Sequence, residues 1–127
     1  MASTVVRTTL RLDQTRNAAL FANTETAVGG SETTVLDKFD CALFNRYSIQ
    51  IFNSDGSVAG TAKVYGSLKD TPGSEGGSDW TQIGDDISVG TSSNALKAIS
   101  TTPIRWLCVR ATGNGADLTV LVYGEQV

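Results

Sequence analysis

Carboxylates, two thiols and many hydroxyls are the side chains with chemistry to offer, and their spacing decides what each can do. Asp55, Asp70, Glu75, Asp79, Asp85 and Asp86 fall in segments rich in Gly, Ser and Thr. Loop carboxylates are the hard oxygen ligands that Ca2+ prefers. These match no calcium-loop spacing, and Asn53-Ser54-Asp55-Gly56 accounts for its own aspartate as a turn residue. A general acid also needs a carboxyl whose pKa is raised by apolar burial, and none of the six sits on an apolar strand. The chain has no His, which removes the commonest general base and the commonest transition-metal ligand. Gly66-Ser67-Leu68 lacks the flanks of a nucleophile elbow. Gly113-Asn114-Gly115 has no helix after it to hold a phosphate on its dipole. Cys41 lies beside Phe39 and Phe44 and Cys108 lies in an apolar run, so both read as buried thiols rather than a disulfide framework. The residues predict a non-enzyme with no metal and no cofactor.

Two tryptophans and two arginines carry what remains of a binding reading. Trp106 alternates with Ile104 and Cys108 and reads as core. Trp80 follows a Gly- and Ser-rich segment and offers a ring on which a sugar can stack. Arg105 and Arg110 are expected at the sheet surface, where they blunt an edge or meet a neighbouring chain.

The charge layout points the same way. The net charge is -3 and the pI about 4.7, which argues against nucleic acid as the main partner. Arg7, Arg11 and Arg16 against Asp13 give residues 1–17 a local +2, leaving -5 for the remainder. A slightly basic arm on an acidic body is a docking device. No stretch approaches transmembrane length and the N-terminus has no signal-peptide core, so a cytoplasmic origin and no membrane partner are expected.

The elements that must position these residues are strands. At 127 residues, 40% hydrophobic and 18% charged, the chain is sized for one domain. It divides into an N-terminal strand or arm over 1–17 and a β-sandwich body over 18–127. Residues 4–12 alternate as a half-buried strand, with Val6, Leu10 and Leu12 on one face and Val5, Arg7 and Arg11 on the other. Residues 17–23 fit a helical turn or a strand; 24–32 read as a loop and 33–38 as a short strand. Residues 44–53 form a clearer strand, and the turn from Asn53 to Ser57 predicts a hairpin to a partner strand over 60–68. Residues 70–79 read as a flexible surface loop, too polar and glycine-rich to pack. Short strands follow at 80–83, 86–89 and 94–99. Residues 104–112 and 117–123 predict a closing hairpin around Asn114-Gly115. Both of its strands are apolar on each face, so they sit centrally or are covered on the second side by a subunit or another layer. The fold class is all-β: an antiparallel sandwich or jelly roll of about eight short strands.

Several of these segments also have a familiar order. Lys63-Val64-Tyr65-Gly66-Ser67 precedes Asp79-Trp80-Thr81-Gln82-Ile83-Gly84, then Arg105-Trp106-Leu107-Cys108-Val109-Arg110, then a strand ending at Tyr123-Gly124. The layout resembles small β-sandwich virion proteins of tailed bacteriophages, of the head decoration or cement type, over roughly residues 44–124. Discoidin-like and other carbohydrate-binding sandwiches share the cadence. The resemblance implies a structural virion protein that stabilises a capsid without catalysis, with the major capsid protein as partner and homo-oligomerisation, a trimer being favoured. Against that role the candidate partner-binding residues are Arg7, Arg11, Arg16, Trp80 and Arg105. Exchange of the N-terminal strand with a neighbour would satisfy a bare sheet edge. The alternatives are a carbohydrate-binding module on a virion fibre and a head–tail or tail accessory protein.

Overall fold

Tyr47, Ile49 and Ile51 alternate with Arg46, Ser48 and Gln50, and the structure buries the first set while the second faces outward. The same period of two runs through Leu118, Val120 and Val122 and through Ala62 and Val64. Such strands must bury one face, and two sheets packed on each other satisfy all of them. The computed structural model describes residues 5–11, 17–42, 44–99 and 104–126. Among these it contains eleven strands and no helix. They are β1 (Val6–Arg11), β2 (Asn17–Ala22), β3 (Thr26–Ala27), β4 (Thr33–Asp40), β5 (Arg46–Asn53), β6 (Gly60–Ser67), β7 (Thr81–Gln82), β8 (Ile87–Val89), β9 (Ser93–Ile99), β10 (Trp106–Thr112) and β11 (Asp117–Glu125).

A six-stranded sheet runs in the order β1-β2-β11-β5-β9, with β3 pairing β11 beside β2. A five-stranded sheet runs β4-β10-β6-β7, with β8 pairing β6. Every pairing is antiparallel among the described residues. The fold is the expected antiparallel β-sandwich, and residues 17–23 resolve as a strand rather than a helical turn. The short strands β3 and β7 account for part of the higher strand number. Between the sheets Phe21 stacks on Phe39 with ring centroids 4.2 Å apart and meets Phe44 edge-on at 6.1 Å. Such aromatic pairs each add about 0.5–1.5 kcal/mol beyond their buried area.

Both expected hairpins are corrected. β5 lies in the six-stranded sheet and β6 in the five-stranded one, so the turn after Asn53 is an arch that crosses between sheets. The turn at Gly113-Asn114-Gly115 does the same between β10 and β11. Turn residues alone do not separate the two outcomes; strand pairing does. β5 is already flanked by β11 and β9, and β6 by β10 and the β7–β8 pair, so neither has a side free for the other.

Buried polar side chains hold the corners. Asn53 Nδ2 donates to Val58 O at 2.8 Å and Gly90 O at 3.2 Å, while its Oδ1 accepts from Asp55 N and Asp117 N. Asn23 Oδ1 accepts from Val120 N at 2.7 Å, and its Nδ2 donates to Leu118 O at 3.1 Å where β2 gives way to β3. The two arches also touch: Gly113 lies with φ 134° against Ala59 and Gly60, and Gly115 with φ 107° against Val58.

Candidate functional site

β10 shows where sequence periodicity misleads. Leu107, Val109 and Ala111 face the inter-sheet core, so Trp106, Cys108 and Arg110 point the other way, onto the outer face of the five-stranded sheet. Trp106 is therefore half-buried rather than core. Cys108 is fully buried but outside the core cluster. Residues 70–80 lie across this face, with Gly76 over Arg110 and the Glu75 carboxylate close enough to act on the Cys108 thiol. The expectation of a loop too polar to pack is thus overturned.

What pins a polar segment is hydrogen bonding and one stacked cation. Glu75 Oε2 accepts from Lys38 N at 3.0 Å, and Pro72 O accepts from Lys38 Nζ at 3.3 Å. Asp79 Oδ2 accepts from Gly73 N at 2.8 Å and Oδ1 from Lys69 Nζ at 3.0 Å. Those bonds, the Gly73 amide first, hold the Asp79 carboxyl below its usual range. Arg110 lies beneath Gly76, with Nη1 on Glu32 Oε2 at 3.0 Å, Nη2 on Glu32 O at 3.1 Å and Nε on Thr34 Oγ1 at 3.2 Å. Tyr65 OH completes the set by donating to Glu32 Oε1 at 2.7 Å. Burial and that carboxylate push the Tyr65 phenol up to about 12. Arg110 is the hub of this layer, a role no local motif announces. It lies at the sheet surface as expected, but beneath residues 70–80 rather than blunting an edge or meeting a neighbouring chain.

Desolvation raises the Cys108 thiol to about 12. A thiol so placed reacts only when the cover opens. A Cβ on Gly76 would fall on Arg110 Nη1, and its φ of 89° strains any L side chain. Gly76→Val should therefore release the cover and speed labelling of Cys108 by Ellman's reagent in native buffer at least about tenfold, a local-opening effect. An unchanged labelling rate would show that residues 70–80 do not protect the thiol.

The sequence-predicted partner residues are scattered. Arg7 and Arg11 stand in β1, in register with Phe21 and Asn17; Arg16 lies outside the described residues. Trp80 is only 7% exposed, and its Nε1 donates to Gly73 O at 3.0 Å. It anchors the end of the cover, and its ring lacks the open face that sugar stacking requires. Arg105 is 37% exposed, sits 5.1 Å from the Trp106 ring centroid, and bridges Asp40 and Asp70 at 3.4 and 3.5 Å. Exposed pairs of this kind contribute about 0–1 kcal/mol. Trp80 and Arg105 thus fall on the cover of the five-stranded sheet, whereas Arg7 and Arg11 belong to the far edge of the other sheet. The loop carboxylates are likewise spread out: Asp55 Oδ2 caps its own turn by accepting from Ser57 N and Val58 N, and Asp86 accepts from Gln82. No group of three or more metal-ligating side chains occurs among the described residues.

Open backbone edges are the remaining feature. The six-stranded sheet ends in β1 on one side and in β9 on the other, and β9 is exposed along most of its length. Beside β9 the two sheets part over a cleft of about 230 Å3, floored by Ile49, Val64 and Ile87 and rimmed by Asp85 and Lys97. A lysine at that register position blunts an edge against indiscriminate pairing.

Comparison with known proteins gives a fold likeness. No protein-family model and no curated protein matches the chain. Among solved structures, a chain from Bacillus endospore appendages, described as a novel family of disulfide-linked pili, matches at TM-score 0.50 and 12% identity. The match covers 100% of this chain and 91% of that one. Both cysteines of the present chain are buried free thiols. A chain of infectious bursal disease virus, Gx strain, matches 95% of this chain at 14% identity and TM-score 0.36. The match spans 32% of that chain, and at this TM-score it carries no argument. What is shared with the appendage chain is the fold.

Proposed function

We propose that this chain is a non-enzymatic structural subunit of a protein assembly, and specifically a decoration or cement protein on a bacteriophage capsid, with the major capsid protein as its partner. The observation that carries the reading is the open edge of the six-stranded sheet. β9 offers seven residues of backbone with no strand beyond them among the described residues, and Leu96 stands on it 68% exposed. An edge of this kind is where a partner strand adds. The basic N-terminal segment, whose β1 forms the opposite edge, is the complementary element. A cement role needs only weak contacts, because repetition over a shell multiplies them. In this reading the protein resides in the virion, and a trimer assembled on the shell, at a threefold or quasi-threefold position, is the favoured form there.

Co-sedimentation with capsids lacking the protein tests the reading directly. The intact chain is expected to pellet with capsids in a fixed stoichiometry, and deletion of residues 1–12 to weaken binding. Binding that survives the deletion removes the N-terminal segment from the mechanism. Failure of the intact chain to bind removes the cement role.

A further inference from the structure

The two outer faces of the sandwich differ in kind. That of the five-stranded sheet carries Lys63, Arg110, Glu32 and Asp40 and is covered by residues 70–80. That of the six-stranded sheet is nearly free of charge. Register places Leu20 and Ala22 of β2, Thr119, Leu121 and Tyr123 of β11, Ser48, Gln50 and Phe52 of β5, and Asn94, Leu96 and Ala98 of β9 on it. None of these eleven is charged in a chain with 23 charged residues, 10 basic and 13 acidic. The charges that the same alternation puts on this face, Arg46, Glu125 and Asp117, stand at its two ends. Leu96 is 68% and Phe52 38% exposed. Depletion of charge with exposed aromatic and aliphatic side chains is the compositional mark of an interface core.

The order of residues on this face says what fits it. Across the strands the rows read Ala18–Glu125–Arg46, then Leu20–Tyr123–Ser48–Ala98, then Ala22–Leu121–Gln50–Leu96, then Thr119–Phe52–Asn94. Consider a twofold axis parallel to the strands and midway between β11 and β5. It sets each residue of a row over its mirror position in a second copy. Glu125 then meets Arg46, Tyr123 meets Ser48, Leu20 meets Ala98, Leu96 meets Ala22, and Phe52 meets Thr119. Each of these pairs joins opposite charges or a large side chain to a smaller one, the pattern by which facing layers interdigitate. Leu121 meets Gln50, whose amide is already engaged by donating from Nε2 to Asn94 Oδ1 at 3.2 Å. A cavity of about 170 Å3 opens at the Arg46–Glu125 end, lined in part by Ser48, Ala98 and Tyr123. It falls below the roughly 300–1,000 Å3 of small-molecule sites and suits a single inserted side chain.

The geometry points to a second copy of this chain as the occupant: the outer face of the six-stranded sheet is an isologous dimer interface with its twofold axis between β5 and β11. Four strands about 4.8 Å apart and some 25 Å long present on the order of 500 Å2 per copy. Two copies bury on the order of 1,000 Å2, the lower bound of specific interfaces, so the dimer is concentration-dependent. An acidic chain that meets itself through a neutral face avoids like-charge repulsion. The inference deepens the assembly reading and rests on its premise that the chain acts as an oligomer; pairs of this kind can link the strand-edge contacts of neighbouring subunits.

Sedimentation velocity over a concentration series decides it. The wild-type chain is expected to shift from monomer to dimer. Leu96→Glu, at an exposed edge position and with its folding checked by circular dichroism, should raise the dissociation constant at least about tenfold. Arg46→Glu and Glu125→Arg should each do so by setting like charges across the axis. The double reversal should restore association, which a merely nonspecific apolar face would not do. A chain monomeric at every concentration, or association indifferent to Leu96→Glu and to the single reversals, overturns the proposal. If Leu96→Glu abolishes capsid co-sedimentation without changing the solution mass, the face meets the shell and the dimer is wrong while the cement reading stands. If the wild-type chain dimerises in this way and binds no capsid, the cement reading fails and the interface stands.

Discussion

Gly113→Val should destabilise the protein by about 3–5 kcal/mol and lower its melting temperature by roughly 10–20 °C. Two costs act together. Gly113 sits at φ 134°, a region that side chains with a Cβ rarely enter. Its Cβ would also lie 2.6 Å from Ala59 O and 3.0 Å from Gly60 Cα, so the obstacle is backbone on the neighbouring arch and cannot rotate away. Relief requires the two sheet-crossing turns to separate, which uncovers the Asn53 network between them. Two other glycines calibrate the result. Gly115→Ala meets a Val58 methyl at 3.3 Å, which has room to shift, and Gly84→Ala at φ 72° meets nothing within 4 Å. Gly84→Ala should therefore cost only about 1 kcal/mol of backbone strain, with Gly115→Ala between the two. Denaturant melts of the three variants check the order. Equal losses at all three would mean that conformational strain alone, and not the contact between arches, governs this end of the molecule.

Alkali should unfold the protein steeply, and the thiols should account for much of the slope. Cys41, whose Sγ donates to Ile104 O at 3.1 Å, is raised by desolvation from the ordinary 9.0 to about 11. Cys108 is raised by desolvation to about 12. In both cases the folded chain favours the neutral thiol. Below pH 9 both thiols are protonated in the folded and unfolded states, and their contribution is fully present. Between pH 9 and 11 the unfolded chain gives up both protons while the folded chain keeps them, so stability falls as pH rises. Each thiol contributes about 1.4 kcal/mol per pH unit, or about 2.8 kcal/mol for the pair. The fall continues for Cys108 up to about pH 12. Tyr47, buried and donating to Cys41 O and Phe44 O at 2.8 Å, is raised as well and steepens the loss above pH 10. Urea midpoints from pH 8 to 11 should drop in the wild-type chain. Cys41→Ala and Cys108→Ala should each flatten the fall by about a third, the remainder belonging to the raised Tyr47 and Tyr65 phenols. A profile unaltered by both substitutions would show that neither thiol stays neutral while the chain is folded.

Strand positions were legible because alternation is a local signal: Tyr47, Ile49 and Ile51 announce an inner face whatever they pack against. Sheet membership was not. Asn53-Ser54-Asp55-Gly56 and Gly113-Asn114-Gly115 have hairpin chemistry, yet both turns cross between sheets because the pairing sides of β5, β6 and β11 are taken by strands distant in sequence. The doubly apolar character of residues 104–112 and 117–123 did foretell two central strands. It left open what covers β10, and the answer is the chain's own residues 70–80. Their glycines and serines suggested a mobile loop because Glu32, Thr34, Tyr65 and Arg110, which receive it, are spread over 78 residues of sequence. For the same reason Trp80 read as a platform and proved to be an anchor. The uncharged sheet face was hidden too, since its rows are assembled from four strands and appear only once the register is known.

The position of β11 sets the order in which the molecule can form. Asp117–Glu125 pairs with β2, β3 and β5, so it stands at the centre of the six-stranded sheet although it is the last of the described strands in sequence. Until it arrives, β2 and β5 have no common neighbour and the first hundred residues hold two half-sheets with bare edges. Closing loops of that length before any reward makes for slow folding. The waiting species exposes apolar strand edges of the kind that aggregate. The molecule is therefore most vulnerable in the interval before β11 is in place.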